Sequence, residues 1–145
     1  MSMLLRLRVH FGEARWLVSL KAGTAYFACV FAVGFVLGPI REFWVIPRFG
    51  RVLAILAESV LMLGVSVFLA RQILHWFAVP KRFGTRIAIG VIAFALLQIA
   101  EVALAFWLRG QDLQQYVVSF WSVPGAITLL VQLAFGAIPA VATSE

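Results

Sequence analysis

Four long apolar runs, at residues 22–40, 52–70, 87–108 and 125–142, dominate the chain, and short segments rich in charge, Gly or Pro separate them. Each run is about 20 residues long, the length a helix needs to cross ~30 Å of hydrocarbon. A spanning segment has to satisfy its own backbone in lipid, and the runs lack the period-two alternation of barrel strands. The predicted elements are therefore four transmembrane helices. They form one all-α four-helix bundle, and residues 1–145 read as a single membrane domain.

Two further elements lie outside the runs. Leu5, Arg6, Leu7, Arg8, Val9, His10 and Phe11 alternate apolar and basic residues. That period predicts either a strand or a basic segment resting on the inner leaflet, with Gly12 breaking it. In the third loop Asp112 precedes Leu113, Tyr116, Val117, Phe120 and Trp121, which recur at helical intervals. Gln115, three after Asp112, completes a capping box. A short amphipathic helix on the outer membrane surface is expected, ended by Pro124 and Gly125, which turn the chain into the last span. No A-x-A-like cleavage site follows Ile40, so the first span is expected to be retained rather than removed as a signal.

Composition narrows the class. Apolar residues make up 63% of the chain and charged ones 12%, with a mean hydropathy of +1.02. That excludes a soluble cytosolic enzyme, a disordered tail and a disulfide scaffold. The net charge is +6, but the cations lie outside the apolar runs. Anionic lipid headgroups, not nucleic acid, are the expected partner. Arg6, Arg8, Arg15, Lys21, Arg71, Lys81, Arg82 and Arg86 fall on one side of the spans; Arg41, Arg48, Arg51 and Arg109 fall on the other. By the positive-inside rule both termini face the cytoplasm. Trp16, Trp44, Trp76, Trp107 and Trp121 sit near span ends, where indole rings favour the interface. Cys29 stands alone mid-span and reads as a small packed hydrophobe, while His10 and His75 lack neighbours at ligand spacing, so neither a metal nor a cofactor is expected.

The candidate chemistry is intramembrane. Ionisable groups inside spans are expensive, and this chain has Glu58 in the second span and Glu101 in the third, joined by Gln98 and Gln132. Counted from the outer span limits at 1.5 Å per residue, the two carboxyls lie at about 9 and 10 Å depth. Gln132 falls at nearly the same level, and Gln98 lies one turn from Glu101. Side chains tilt toward a helix's N-terminus, so Arg41 and Arg109 lean down toward this layer while Glu58 leans up, making Arg41 with Glu58 the best single pair. Two readings stay open: interhelical glue that fixes register, or a ligand or ion site. Gly34 and Gly38 form a small-xxx-small motif that would admit a close helix, and Pro39 could aim Arg41.

The segment Gly38, Pro39, Ile40, Arg41, then Val45, Ile46, Pro47, Arg48, Phe49, Gly50 and Glu58, resembles a group of short four-span proteobacterial inner-membrane proteins. Glu101 with Leu108, Arg109 and Gly110 fits the same resemblance, which covers most of the chain. That family has no assigned activity, so it implies a fold and a bacterial inner-membrane location but no catalytic residues. Small multidrug-resistance exporters share the four-span size. Their essential carboxylate lies in the first span, where this chain has none. No nucleophile–base pair, metal-ligand set or phosphate-binding loop is visible. The expected function is thus a non-enzymatic structural or accessory component, partnered by a larger membrane complex or by further copies of itself. The alternative is a small transporter or channel for protons or a cationic solute, working through Glu58 and Glu101.

Overall fold

The computed structural model describes the backbone of residues 2–142 and the side chains of residues 12–142. Its elements are α1 (Ser2–Ile40), a widened turn (Arg41–Val45), α2 (Ile46–Phe49), α3 (Arg51–Trp76), α4 (Phe83–Trp107), α5 (Leu113–Ser119) and α6 (Val123–Val141). There is no strand among the described residues. Four helical stretches, Gly12–Phe49, Arg51–Trp76, Phe83–Trp107 and Val123–Val141, are long and apolar enough to cross a membrane, as in a multi-pass membrane protein.

Around the bundle the order is α1, α4, α6, α3, each helix packing on the two beside it. One end carries the start of α1, the α3–α4 loop and the end of α6; this is the terminal end. The other carries the α1–α3 turn and α5; this is the hairpin end.

Two expectations about loops are corrected. The alternating segment around Arg6 and Arg8 is neither a strand nor a separate surface strip, because α1 runs through it and through Gly12. An isolated strand would leave its backbone groups unpaired, whereas a helix closes them internally. The side chains of Arg6, Arg8 and His10 lie outside the described residues. The region between the first two spans is also helical, leaving Gly50 as the one non-helical residue between α2 and α3. Arg41 and Glu42 do not break the helix, since each pairs with a charge on α3, Glu58 and Arg51 respectively. Pro47 sits in the first turn of α2, where a missing N–H costs little. The sharp reversal falls to Gly50, whose φ of 83° and ψ of 162° suit glycine alone.

The densest packing lies toward the terminal end. Ala22, Tyr26, Ile73, Leu74, Ile89, Ala93 and Phe135 are all buried there. In lipid, helices associate through close van der Waals contact and hydrogen bonds rather than through burial from water. Glycines supply that contact: a Cβ at Gly90 of α4 would lie 1.9 Å from the Gly136 carbonyl oxygen of α6, and one at Gly23 of α1 would lie 2.9 Å from Ile92. Pro139 sits inside α6 and has no N–H for the Phe135 carbonyl four residues back. Tyr26 of α1 fills that role. Its hydroxyl donates to the Phe135 carbonyl at 3.0 Å, and its ring stacks on the Phe135 ring at 4.6 Å.

Candidate functional site

The sequence-predicted polar residues meet at the hairpin end. Pro39 deprives the Phe35 carbonyl of its usual donor, and directly after it the helix widens: the Ile46 N–H reaches back five residues to the Arg41 carbonyl. Arg41 opens this widened turn, and its terminal nitrogen donates to the Glu58 carboxylate of α3. The pair is half-shielded, with side-chain exposures of 27% for Arg41 and 15% for Glu58, so it is screened less than a surface ion pair but is not sealed. The buried Nε of Arg41 has no acceptor among the described residues.

Around this pair α1 and α3 part. A groove of about 180 Å³ runs between them, lined beside the ion pair by Leu37, Ile40 and Val45 and, on α3, by Ala54, Ala57 and Leu61. Small residues on α3, Ala54 and Ala57, leave the space, and the exposed Ala57 and Leu61 open it toward the outside of the bundle.

On the neighbouring helices Gln98 of α4 donates through Nε2 to Oε1 of Gln132 on α6, at 2.8 Å. Gln132 is buried, so this bond spares two amide groups from unpaired contact with hydrocarbon. Glu101 is half-buried on α4. It makes no ion pair within 4.0 Å among the described residues, but the charges of Arg109, Arg41 and Glu58 all act on it at longer range. Arg109 is exposed beyond the end of α4. Six expected cluster members thus form two direct pairs, with Glu101 held in the field of three charges and Arg109 at the rim.

The glycine expectation is corrected. Gly34 is in ordinary contact with Met62, at 3.4 Å from a built Cβ, and no described atom lies within 4 Å of a Cβ at Gly38. At this level α1 meets α3 through the Met62 side chain at Gly34, and not backbone to backbone. The close approaches are at Gly23, Gly90 and Gly136 instead.

Above the pair, α5 is capped as its sequence predicts. Asp112 Oδ1 accepts from the Gln115 N–H at 2.7 Å, and Gln115 returns a bond to the Asp112 N–H at 3.1 Å. Leu113, Val117 and Trp121 leave an exposed apolar stripe, while Tyr116 is buried beside Phe120. Burial, and then the nearby Glu101 carboxylate, raise the Tyr116 hydroxyl above its ordinary pKa. Pro124 and Gly125 do not end α5. They start α6, whose first turn is capped by Ser122 through a 3.1 Å bond from the Gly125 N–H.

Sequence reasoning assigned Arg86 to a loop. It lies on the core face of α4 at 8% exposure and donates to the Ala142 carbonyl that closes α6. Its phase shows why: Arg86, Ile89 and Ala93 recur at three and four residues and are all buried. Tyr26 was also missed, although Pro139 signals that a carbonyl four residues earlier needs a donor.

No family model, curated protein or solved structure matches the chain.

Proposed function

We propose that this protein is a small non-catalytic membrane component of the bacterial inner membrane, an accessory subunit that associates with other membrane proteins or with further copies of itself. The observation that carries this reading is how the intramembrane polar groups are used. Arg41 bonds to Glu58 and Gln98 to Gln132, so these side chains join helix to helix. Orientation with both termini in the cytoplasm is part of the proposal. Arg15, Lys21, Arg71, Lys81 and Arg82 are exposed toward the terminal end, against Arg48, Arg51 and Arg109 toward the hairpin end. Purification in mild detergent from the native membrane tests the accessory role. A defined larger assembly is expected; a strictly monomeric particle without a co-purifying protein overturns it.

Glu101 favours a second reading. Its carboxyl is half-buried at the level of the Arg41–Glu58 pair and has no ion partner within 4.0 Å among the described residues. Such a group could exchange protons or hold a cationic solute on a path through the bundle. Flux into proteoliposomes decides this reading: it requires transport that Glu101→Gln abolishes, and flux indifferent to Glu58→Gln and Glu101→Gln removes both residues from any such mechanism.

A further inference from the structure

We propose that the groove between α1 and α3 is a binding site for one anionic phospholipid, whose phosphate is held by Arg41 and whose acyl chain lies along Leu37 and Leu61. Three observations converge on it. The first is shape. The groove holds about 180 Å³ and opens sideways from the bundle, so a lipid reaches it from the bilayer without crossing water. Leu37, Arg41 and Val45 line one wall and Ala57, Glu58 and Leu61 the other, and Arg41 meets Glu58 across the groove. From Val45 to Leu37 this spans eight residues of helix, about 12 Å at 1.5 Å per residue.

The second observation is chemical. A guanidinium carries five N–H donors in one plane. Glu58 takes a donor from one terminal nitrogen, and the buried Nε–H of Arg41 has no acceptor among the described residues. The Nε–H is closed off from the groove, but the part-exposed guanidinium keeps donors on its other terminal nitrogen, and a phosphate oxygen meets them with a charge-assisted bond. Arg suits this role better than Lys, because its planar fork can hold a carboxylate on one edge and a phosphate on another.

The third is charge balance and depth. Of the turn's three arginines, Arg41, Arg48 and Arg51, Arg41 is the one that lines the groove, so an anion entering it meets that guanidinium. Arg51 is matched by Glu42 at 3.4 Å, and Arg48 is folded onto Trp44, donating to its carbonyl at 3.0 Å and lying over its ring. Trp44 is exposed one turn beyond Arg41, and indole rings mark the headgroup level. Arg41 therefore sits just below that level, where a lipid phosphate can reach it while its chain points inward past Leu37.

Native mass spectrometry of the purified protein, loaded with phosphatidylglycerol or with phosphatidylcholine of the same chains, tests the site. Wild-type protein is expected to retain one phosphatidylglycerol with a preference on the order of tenfold, the effect of one charge-assisted bond in a half-shielded site. Arg41→Gln is expected to abolish the preference. Because that change strands Glu58, Arg41→Gln with Glu58→Gln serves as a second variant that leaves no unpaired carboxylate, and it too should lose the preference. Ala57→Phe should lower retention of both lipids by filling the groove. Arg48→Gln and Arg51→Gln should leave the preference within about twofold, since neither residue lines the groove. A preference that survives in the double variant, or that falls equally with Arg48→Gln, overturns the proposal and assigns the lipid to the basic surface at large. Retention unchanged by Ala57→Phe overturns it as well.

Discussion

The two halves of the bundle are built from different contacts. Toward the terminal end the helices meet backbone to backbone: Gly90 lies against Gly136, Gly23 against Ile92, and the Tyr26 ring fills the space left before Pro139. Toward the hairpin end α1 and α3 part around an arginine, a glutamate and a groove, and the polar groups there are half-exposed. In a solvent as apolar as the helices themselves, close packing is what stabilises association. The first half uses that means fully. The second half gives it up over two turns of helix, for polar contacts worth little more than the packing they displace. A membrane helix pair that could have closed with small residues, and instead holds Arg41 and Glu58 between them, has its looseness where its chemistry is.

Glycine substitutions should separate the halves most sharply. Gly90→Leu has to push α6 away, because even a single Cβ would overlap the Gly136 carbonyl. A loss of about 3 kcal/mol is expected in unfolding from mixed micelles, at the upper end for overpacked cores. Gly38→Leu meets open space and should change stability by less than about 0.5 kcal/mol. Equal losses at the two positions would mean that the halves are packed alike and that the contrast is mistaken.

Removing one side of the ion pair comes next. Arg41→Ala leaves Glu58 at 15% exposure without its partner, and a loss of about 2 kcal/mol is expected, below that for a fully buried pair. Glu58→Ala and the double substitution complete a cycle. A coupling of about 1 kcal/mol or more is expected for residues in direct contact, and no coupling would show that the pair does not join the helices.

Much of this contrast was legible in the sequence, but unevenly. Hydropathy gave the spans, because in lipid the length and continuity of an apolar run decide whether it crosses. Depth and side-chain tilt brought Arg41 to Glu58, and depth alone put Gln98 and Gln132 in the same layer, where the structure then pairs them. The Asp112 capping box is local and was readable as such. Which glycine pair would touch was not readable. Gly34, Gly38, Gly90 and Gly136 look alike along the chain, and the rotation of each helix about its axis decides between them. The helical passage from Arg41 to Phe49 was hidden for a different reason. Charges there suggest a loop until their partners on α3 are known, and those partners belong to the tertiary structure. Glu101 remained the least determined by sequence, because its surroundings combine charges from three elements.

Within the tight half the hydrogen bond at Pro139 can be tested alone. Tyr26→Phe keeps the ring stack on Phe135 and removes the hydroxyl, which donates to the Phe135 carbonyl and also bonds with Ser66. A loss of about 1 kcal/mol is expected, within the range of interhelical bonds in membranes. Pro139→Ala restores an N–H to the helix, so Tyr26→Phe in that background should cost less. An undiminished cost would mean that the hydroxyl serves Ser66 and not the carbonyl freed by the proline.

The smallest effect concerns the turns that close each end. Gly50 closes the hairpin end at a φ of 83°, while Ala78 in the α3–α4 loop holds a φ of 47° near the terminal end. The left-handed region costs a residue with a Cβ about 1 kcal/mol. Ala78 adopts it because α3 ends in a tight reversal: the Val79 N–H returns to the Leu74 carbonyl at 3.0 Å and the Ala78 N–H to that of His75 at 3.0 Å. Ala78→Gly relieves the strain but gives the unfolded chain more freedom, so a net gain of about 0.5 kcal/mol is expected in the same micelle assay. Gly50→Ala should go the other way. A gain at both turns, or a loss at both, would show that backbone strain does not distinguish the ends. Opposite signs would place strain at the turn closing the well-packed half, where α4 and α6 leave the chain little choice of path, and its relief at the turn above the groove.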